Sequence, residues 1–137
     1  MIESDVLYAY IKRDDWLKKD AVRLVSKIER GGLGIVYASR ETLHELYYVS
    51  MEEEVTVDEF LARAAALTAI KNLQYLDTTY EIDLLALALM KQYGLTSIFD
   101  AYYAATAANQ IADHTIISTD SVFDRIPAIR RIDPRTK

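Results

Sequence analysis

Four glycines and two prolines in 137 residues leave this chain little from which to build loops. A chain so short of breaking residues must pass from one regular element almost directly into the next, and the spacing of its apolar residues decides which elements those are. Residues 15–30 (DWLKKDAVRLVSKIER) carry Trp16, Val22, Leu24, Val25 and Ile28 near helical spacing, and Gly31 and Gly32 supply a stop. The apolar run 33–37 then predicts a buried strand. Ser39 is placed to cap a helix through Met51, residues 52–54 read as a solvated acidic turn, and a further helix is expected over 57–72. In that helix Phe60, Leu61, Ala64, Ala65 and Leu67 are the core candidates. The run 73–76 suits a strand, followed by a helix that starts at 77–79, runs to Gln92 and ends at Gly94. Ser97 is placed to cap a helix over 98–112, whose six alanines let it lie close against a sheet. Residues 115–118 and 128–132 read as the last strands, and the residues before Glu3 as a short first one. Strands that alternate with helices pair in parallel through right-handed crossovers. The expected fold is therefore α/β, a three-layer α/β/α sandwich with a central parallel sheet, in a single domain over 1–137.

Composition narrows the classes of function. With 51% hydrophobic and 27% charged residues the chain has ample material for one core. The absence of cysteine excludes disulfides, thiolate metal sites and a cysteine nucleophile, and fits a reducing cytoplasm. The longest purely apolar run, 84–90, is far shorter than the ~20 residues of a membrane helix. Acids at Glu3 and Asp5 stand where a secretory signal carries lysines, so export is not expected. The net charge of −5 is unevenly held. Residues 12–30 carry seven Lys/Arg against four Asp/Glu, residues 125–137 carry five against one, and the remainder holds −12. Basic flanks of this kind can accept a phosphate backbone while the acids gather cations, although solvated helix faces account for the same split on charge alone.

The acids fall where an α/β sheet binds ligands, outside the carboxyl ends of its strands. Asp120 follows the strand 115–118 by two residues, and Glu3 and Asp5 follow the first short strand. Asp100 lies in the first turn of the alanine-rich helix. The helix dipole favours an acid there by ~0.3–1 kcal/mol, but the apolar surroundings SIFDAYYAA ask in addition for a cation or hydrogen bonds. Glu45 in TLHELYYV reads by itself as a surface glutamate. Neither His44 nor His114 has a second histidine one helical turn away, so zinc chemistry is not expected. There is no glycine-rich phosphate loop, no G-x-S-x-G elbow and no serine with a convincing histidine partner.

Four ordered segments, ESDVLYAYIK, SRETLHEL, GLTSIFDAYYAATA and TIISTDSVFD, together resemble the PIN-domain family, whose bacterial and archaeal members include the VapC toxins of toxin–antitoxin pairs. The resemblance spans nearly the whole chain, and the third segment is its strongest part. It implies a metal-dependent endoribonuclease using Mg²⁺ or Mn²⁺, in which Glu45, Asp100 and Asp120 are the second, third and fourth acids. Ser118 would support Asp120, and Asp124 would be an accessory metal ligand. The family's D-[ST]-[NDS]-V-L reads here as Glu3-Ser4-Asp5-Val6-Leu7, so the first acid is Glu3 or Asp5; aligning Val6 and Leu7 with the apolar pair favours Glu3. Arg125, Arg130 and Arg131 in the basic C-terminal stretch are candidates for contact with RNA phosphates. The implied partners are an RNA substrate, a small antitoxin protein and a second copy of the chain, for which Tyr8, Tyr10, Tyr47 and Tyr48 are candidate contacts that core packing explains equally well. A DNA-directed nuclease with the same site, or an inactive PIN-like binding module, are the competing expectations.

Overall fold

The structure, a computed structural model, describes residues 1–136. Lys137, counted above in the basic C-terminal stretch, lies outside the described residues. In chain order the elements are α1 (Ser4–Ile11), α2 (Lys18–Glu29), β1 (Val36–Ser39), α3 (Glu41–Glu52), α4 (Val57–Thr68), β2 (Leu73–Leu76), α5 (Tyr80–Tyr93), α6 (Ile98–Gln110), β3 (Thr115–Ile117) and β4 (Arg130–Ile132). Single 3-10 turns lie at Ser121–Arg125 and Pro134–Thr136.

The strands form one parallel array whose centre is the start of the chain. β1 pairs with β2, Val36 opposite Leu73, and β3 pairs with β4, Thr115 opposite Arg130. Residues 1–3 join the two pairs: Ile117 N donates to Met1 O (2.8 Å), Glu3 N to Ile117 O (3.0 Å) and Ile2 N to Tyr37 O (2.8 Å). The order across the sheet is thus β2, β1, residues 1–3, β3, β4.

Side chains alternate across this sheet and sort into two cores. Ile2, Val36, Ala38, Leu73 and Ile117 face α1 and α2, with Leu46 of α3 and Leu67 of α4 closing that side. Met1 and Ile116 face the other way, against Ile82, Ala86 and Leu89 of α5 and Ala101, Tyr103, Ala104 and Ala105 of α6. Three layers follow directly from the period-two pattern, as the alternation of elements predicts.

Element boundaries move where backbone conformation decides them. The strand expected at 33–37 begins only at Val36, because Gly31 (φ 80°) and Gly34 (φ 66°) keep the chain turning in the left-handed region. The helix expected over 15–30 begins at Lys18. Asp15 caps its approach by accepting from Leu17 N (2.9 Å), which leaves Trp16 outside the helix and 69% exposed rather than on the core face. The helix expected over 57–72 stops at Thr68, since Asn72 turns at φ 65° into β2; of its expected core residues Leu67 is fully buried and Leu61 is exposed. Ser97 and Gly94 act where the sequence places them, Ser97 Oγ accepting from Asp100 N (3.4 Å) and Gly94 ending α5 at φ 68°; at α3 the N-cap is Arg40, and Ser39, which ends β1, accepts from Glu41 N (3.0 Å) from one residue earlier. Glu3 and Asp5 do not share a strand face: Glu3 is the N-cap of α1 and Asp5 lies in its first turn. No single helix among the described residues is long and apolar enough to cross a membrane.

Candidate active site

At the carboxyl edge of the sheet, where residues 1–3 pass into α1 and β3 into its following turn, Glu3, Asp5, Glu45, Asp100 and Asp120 line one cavity of 400 Å³ together with Ser4, Tyr8 and Ser97. The five acids come from four stretches of chain, Glu3 and Asp5 sharing the start of α1. Glu3 caps α1, Glu45 projects from the second turn of α3, Asp100 sits in the first turn of α6, and Asp120 is the N-cap of the 3-10 turn after β3.

Hydrogen bonds fix most of these carboxylates before any ligand arrives. Glu3 is buried, and its Oε2 accepts from Asp5 N (2.7 Å). Glu45 Oε1 accepts from Ser4 Oγ (2.5 Å) and from the phenol of Tyr103 (2.8 Å), itself fully buried in α6. Ser4 Oγ also lies 3.2 Å from Glu3 Oε1. A hydroxyl has one proton to give, so with the shorter contact directed at Glu45, the longer one closes when Glu3 carries a proton of its own. Asp5 accepts from Val6 N (2.7 Å) and, through its other oxygen, from both N and Oγ1 of Thr119 (2.8 and 2.5 Å), which ties α1 to the turn that carries Asp120. Asp120 N donates to the buried Ser118 Oγ (2.9 Å), and Asp120 Oδ1 accepts from Val122 N (2.9 Å).

The electrostatics are those of like charges confined together. Burial, then the neighbouring charges of Asp120, Glu45 and Asp5, push the Asp100 carboxyl up to about 6. Burial raises Glu3 well above the usual carboxylate range, and the adjacent Asp5 and Glu45 add to the rise. Tyr103 is raised as well, by burial first and then by the charge of Glu45, so its phenol stays a donor. A site of oxygen donors crowded to this degree suits a hard divalent cation. Among the described residues, no three carboxylate or histidine side chains stand close enough to ligate one ion together. The donor set therefore fits an ion such as Mg²⁺, which takes one or two carboxylates directly and keeps water or substrate oxygens for the rest of its shell.

Not every residue singled out in the sequence reaches this cavity. Asp124 is held in a bidentate pair by Arg131 (3.0 Å to each carboxylate oxygen) and is absent from the lining. Arg131 is engaged there and with Ser118 O (3.2 Å), so it serves the β4 edge rather than standing free toward a phosphate. Arg125 and Arg130 are exposed; Arg130 enters β4 at the opposite, amino edge of the sheet, beside Thr115. Conversely, sequence reasoning assigned no role to Ser4, Thr119 or Tyr103. For Tyr103 a signal was present: it lies three residues beyond Asp100 in α6, on the same helix face.

The family model of the PIN domain matches residues 1–129, and the chain belongs to the PIN-domain family. Solved structures of similar fold include VapC20 of Mycobacterium tuberculosis, a sarcin–ricin loop cleaving toxin, with TM-score 0.74 and 16% identity over 92% of this chain and 93% of that one. VapBC2 of Rickettsia felis bound to a DNA fragment from its promoter gives TM-score 0.71 and 16% identity over 96% and 98%. A toxin–antitoxin complex from Klebsiella pneumoniae gives 0.64 and 17% over 97% and 95%. At such identities the likeness is one of fold. No curated protein sequence matches the chain.

Proposed function

We propose that this chain is a divalent-metal-dependent endoribonuclease and the toxin of a toxin–antitoxin pair. The observation that carries the proposal is the convergence of Glu3, Glu45, Asp100 and Asp120 on one cavity at the carboxyl edge of the sheet, with Asp100 pushed up to about 6 by burial and then by the charges of its neighbours. Acids so placed raise one another's energy unless a cation joins them, which is a reason for a metal to bind and not a device for stability.

A bound Mg²⁺ or Mn²⁺ would neutralise charge on a phosphodiester and activate water for in-line attack. The chain's own residues do the holding. Asp100 and Asp120 offer carboxylates from a rigid helix start and a capped turn, while Ser4 and Tyr103 keep Glu45 directed at the cavity. Glu3 is taken as the first ligand on the register that aligns Val6 and Leu7 with the family's apolar pair; hydrogen bonds engage both oxygens of Glu3 and of Asp5 alike. Glu3→Gln is expected to weaken Mn²⁺ binding in a calorimetric titration more than Asp5→Asn, and the reverse order would assign the first ligand to Asp5.

The deciding experiment incubates the protein with single-stranded and structured RNA, and with DNA, in Mg²⁺, Mn²⁺ or EDTA, beside Asp100→Asn. RNA cleavage that needs metal and is lost in Asp100→Asn is expected. Cleavage of DNA alone, or metal-independent binding without cleavage, would overturn the ribonuclease proposal. The toxin role draws on the three similar folds, each from a toxin or a toxin–antitoxin complex. Growth arrest on induced expression, relieved by a small protein encoded alongside, tests it.

A further inference from the structure

The carboxylate cavity uses the chain's acids and leaves a face of opposite sign unexplained. Arg23 and Lys27 of α2 and its C-cap Arg30, at i, i+4 and i+7, line a groove of 580 Å³ with Leu24 and Gly32. Four residues of helix rise ~6 Å, so the three cations form a row along the helix axis. Asp20 pairs with Arg23 (3.0 Å), while Lys27 and Arg30 have no acidic partner among the described residues.

The row continues past the end of the helix. Trp16, the chain's one tryptophan, is 69% exposed, and the guanidinium of Arg135 sits 5.5 Å from its ring centroid. Arg135 also pairs with Asp133, which fixes it in place as well as offsetting its charge. Arg23 Nη2 donates to Pro134 O (2.8 Å), which pins the turn Pro134–Thr136 against α2. That turn follows β4 at the carboxyl edge of the sheet. The other end of α2 lies at the amino edge, where Asn72 Nδ2 donates to Ile28 O and Glu29 O just before β2 begins. One strip, aromatic at its carboxyl-edge end and cationic beyond it, therefore runs from one edge of the sheet to the other.

Unpaired nucleic acid is recognised by this combination, cations that follow the backbone and an aromatic ring on which a base stacks. We propose that the strip holds the unpaired flank of an RNA outside the carboxylate cavity, with phosphates along Lys27 and Arg30 and a base against Trp16. The proposal rests on the ribonuclease function proposed above and adds to it a substrate that extends well beyond the scissile bond.

Trp16 is a built-in reporter. A long unpaired RNA of mixed sequence, added to the full chain in EDTA so that it stays intact, is expected to quench Trp16 emission saturably. The double variant Lys27→Glu/Arg30→Glu, with its fold checked by circular dichroism, is expected to bind that RNA about tenfold more weakly, with a salt slope flatter by about 1.4 for two phosphate contacts on a single strand. The loss should grow with the length of the unpaired flank. Unchanged Trp16 emission, wild-type affinity in the double variant, or equal quenching by duplex RNA would each overturn the strip. If wild type still cleaves RNA with metal in those cases, the ribonuclease proposal stands; if no metal supports cleavage of any RNA, both fall.

Discussion

The side chain on which most of the site's geometry turns is Tyr103. Its phenol is buried and its partner is a carboxylate, a pairing worth about 1.5–3 kcal/mol when one group is charged. Tyr103→Phe keeps the ring and removes only the donor. It is expected to cost about 1–2 kcal/mol in urea unfolding and to weaken Mn²⁺ binding, because Glu45 then keeps only Ser4 to direct it; unchanged affinity would show that Ser4 suffices. Asp100 behaves in the opposite sense. Its folded value of about 6 lies above the ordinary 3.8, so the folded chain binds the proton more readily than the unfolded chain and loses stability as pH rises through that window. Asp100→Asn is accordingly expected to exceed wild type at pH 7 by about 1 kcal/mol, a figure reduced for solvent screening. Below about pH 4, where both states of wild type are protonated, the advantage should vanish. Denaturant midpoints at the two pH values check this, and an advantage that is independent of pH would mean that charge crowding is not its source.

Among the elements, α5 exposes Tyr80, Leu84 and Leu87 at one-turn intervals while burying Ile82, Ala86 and Leu89 against the sheet. Together with Tyr47 and Tyr48 of α3 these are the large apolar side chains that self-association would cover. If the chain is a homodimer through α5, Leu84→Lys should halve the mass measured by light scattering without loss of helicity; a monomeric wild type would overturn the second copy that the family resemblance implies. α5 also shows how far the sequence could be read. Its caps, Thr79 and Gly94, and its length are local properties and were legible, as were β2 and the start of α6. Which of its apolar faces turns inward was not, because Leu84 and Ile82 differ in burial and hardly at all in chemistry. At the site, Asp120 could be placed at the sheet edge from topology and Asp100 singled out by its apolar helix start, whereas Glu45 read as a surface glutamate and joined them only through the family resemblance. The ties between Asp5 and Thr119 and between Tyr103 and Glu45 could not be read, since they join residues 114 and 58 positions apart. The resemblance implied an accessory ligand at Asp124, and the sequence did not show that Arg131 across the turn holds its carboxylate away from the cavity.

At the scale of the whole molecule, the acids that would hold metal are also the folded state's main internal repulsion, so ligand and stability are linked. Adding Mg²⁺ or Mn²⁺ is expected to stabilise the fold by RT ln(1 + [L]/Kd), and so to raise Tm in a concentration-dependent way, less in Asp100→Asn. A shift of the same size in both proteins would place the ion elsewhere. The two cores lie on opposite faces of a sheet whose middle is residues 1–3, and at its carboxyl edge α3 and α6 also meet, where Tyr103 donates to Glu45. Bonds such as Asp5 to Thr119 therefore close almost the longest loop the chain allows, and contacts of such sequence separation slow folding. During synthesis the central strand leaves the ribosome more than a hundred residues before β3, the neighbour that completes its pairing. Ribosome-stalled chains lacking β3 should remain open to protease, and those extended past Ile132 should resist it. The carboxylate cavity draws Asp120 from the turn after β3, so a chain assembled in this order gains its complete site only after that turn has left the ribosome.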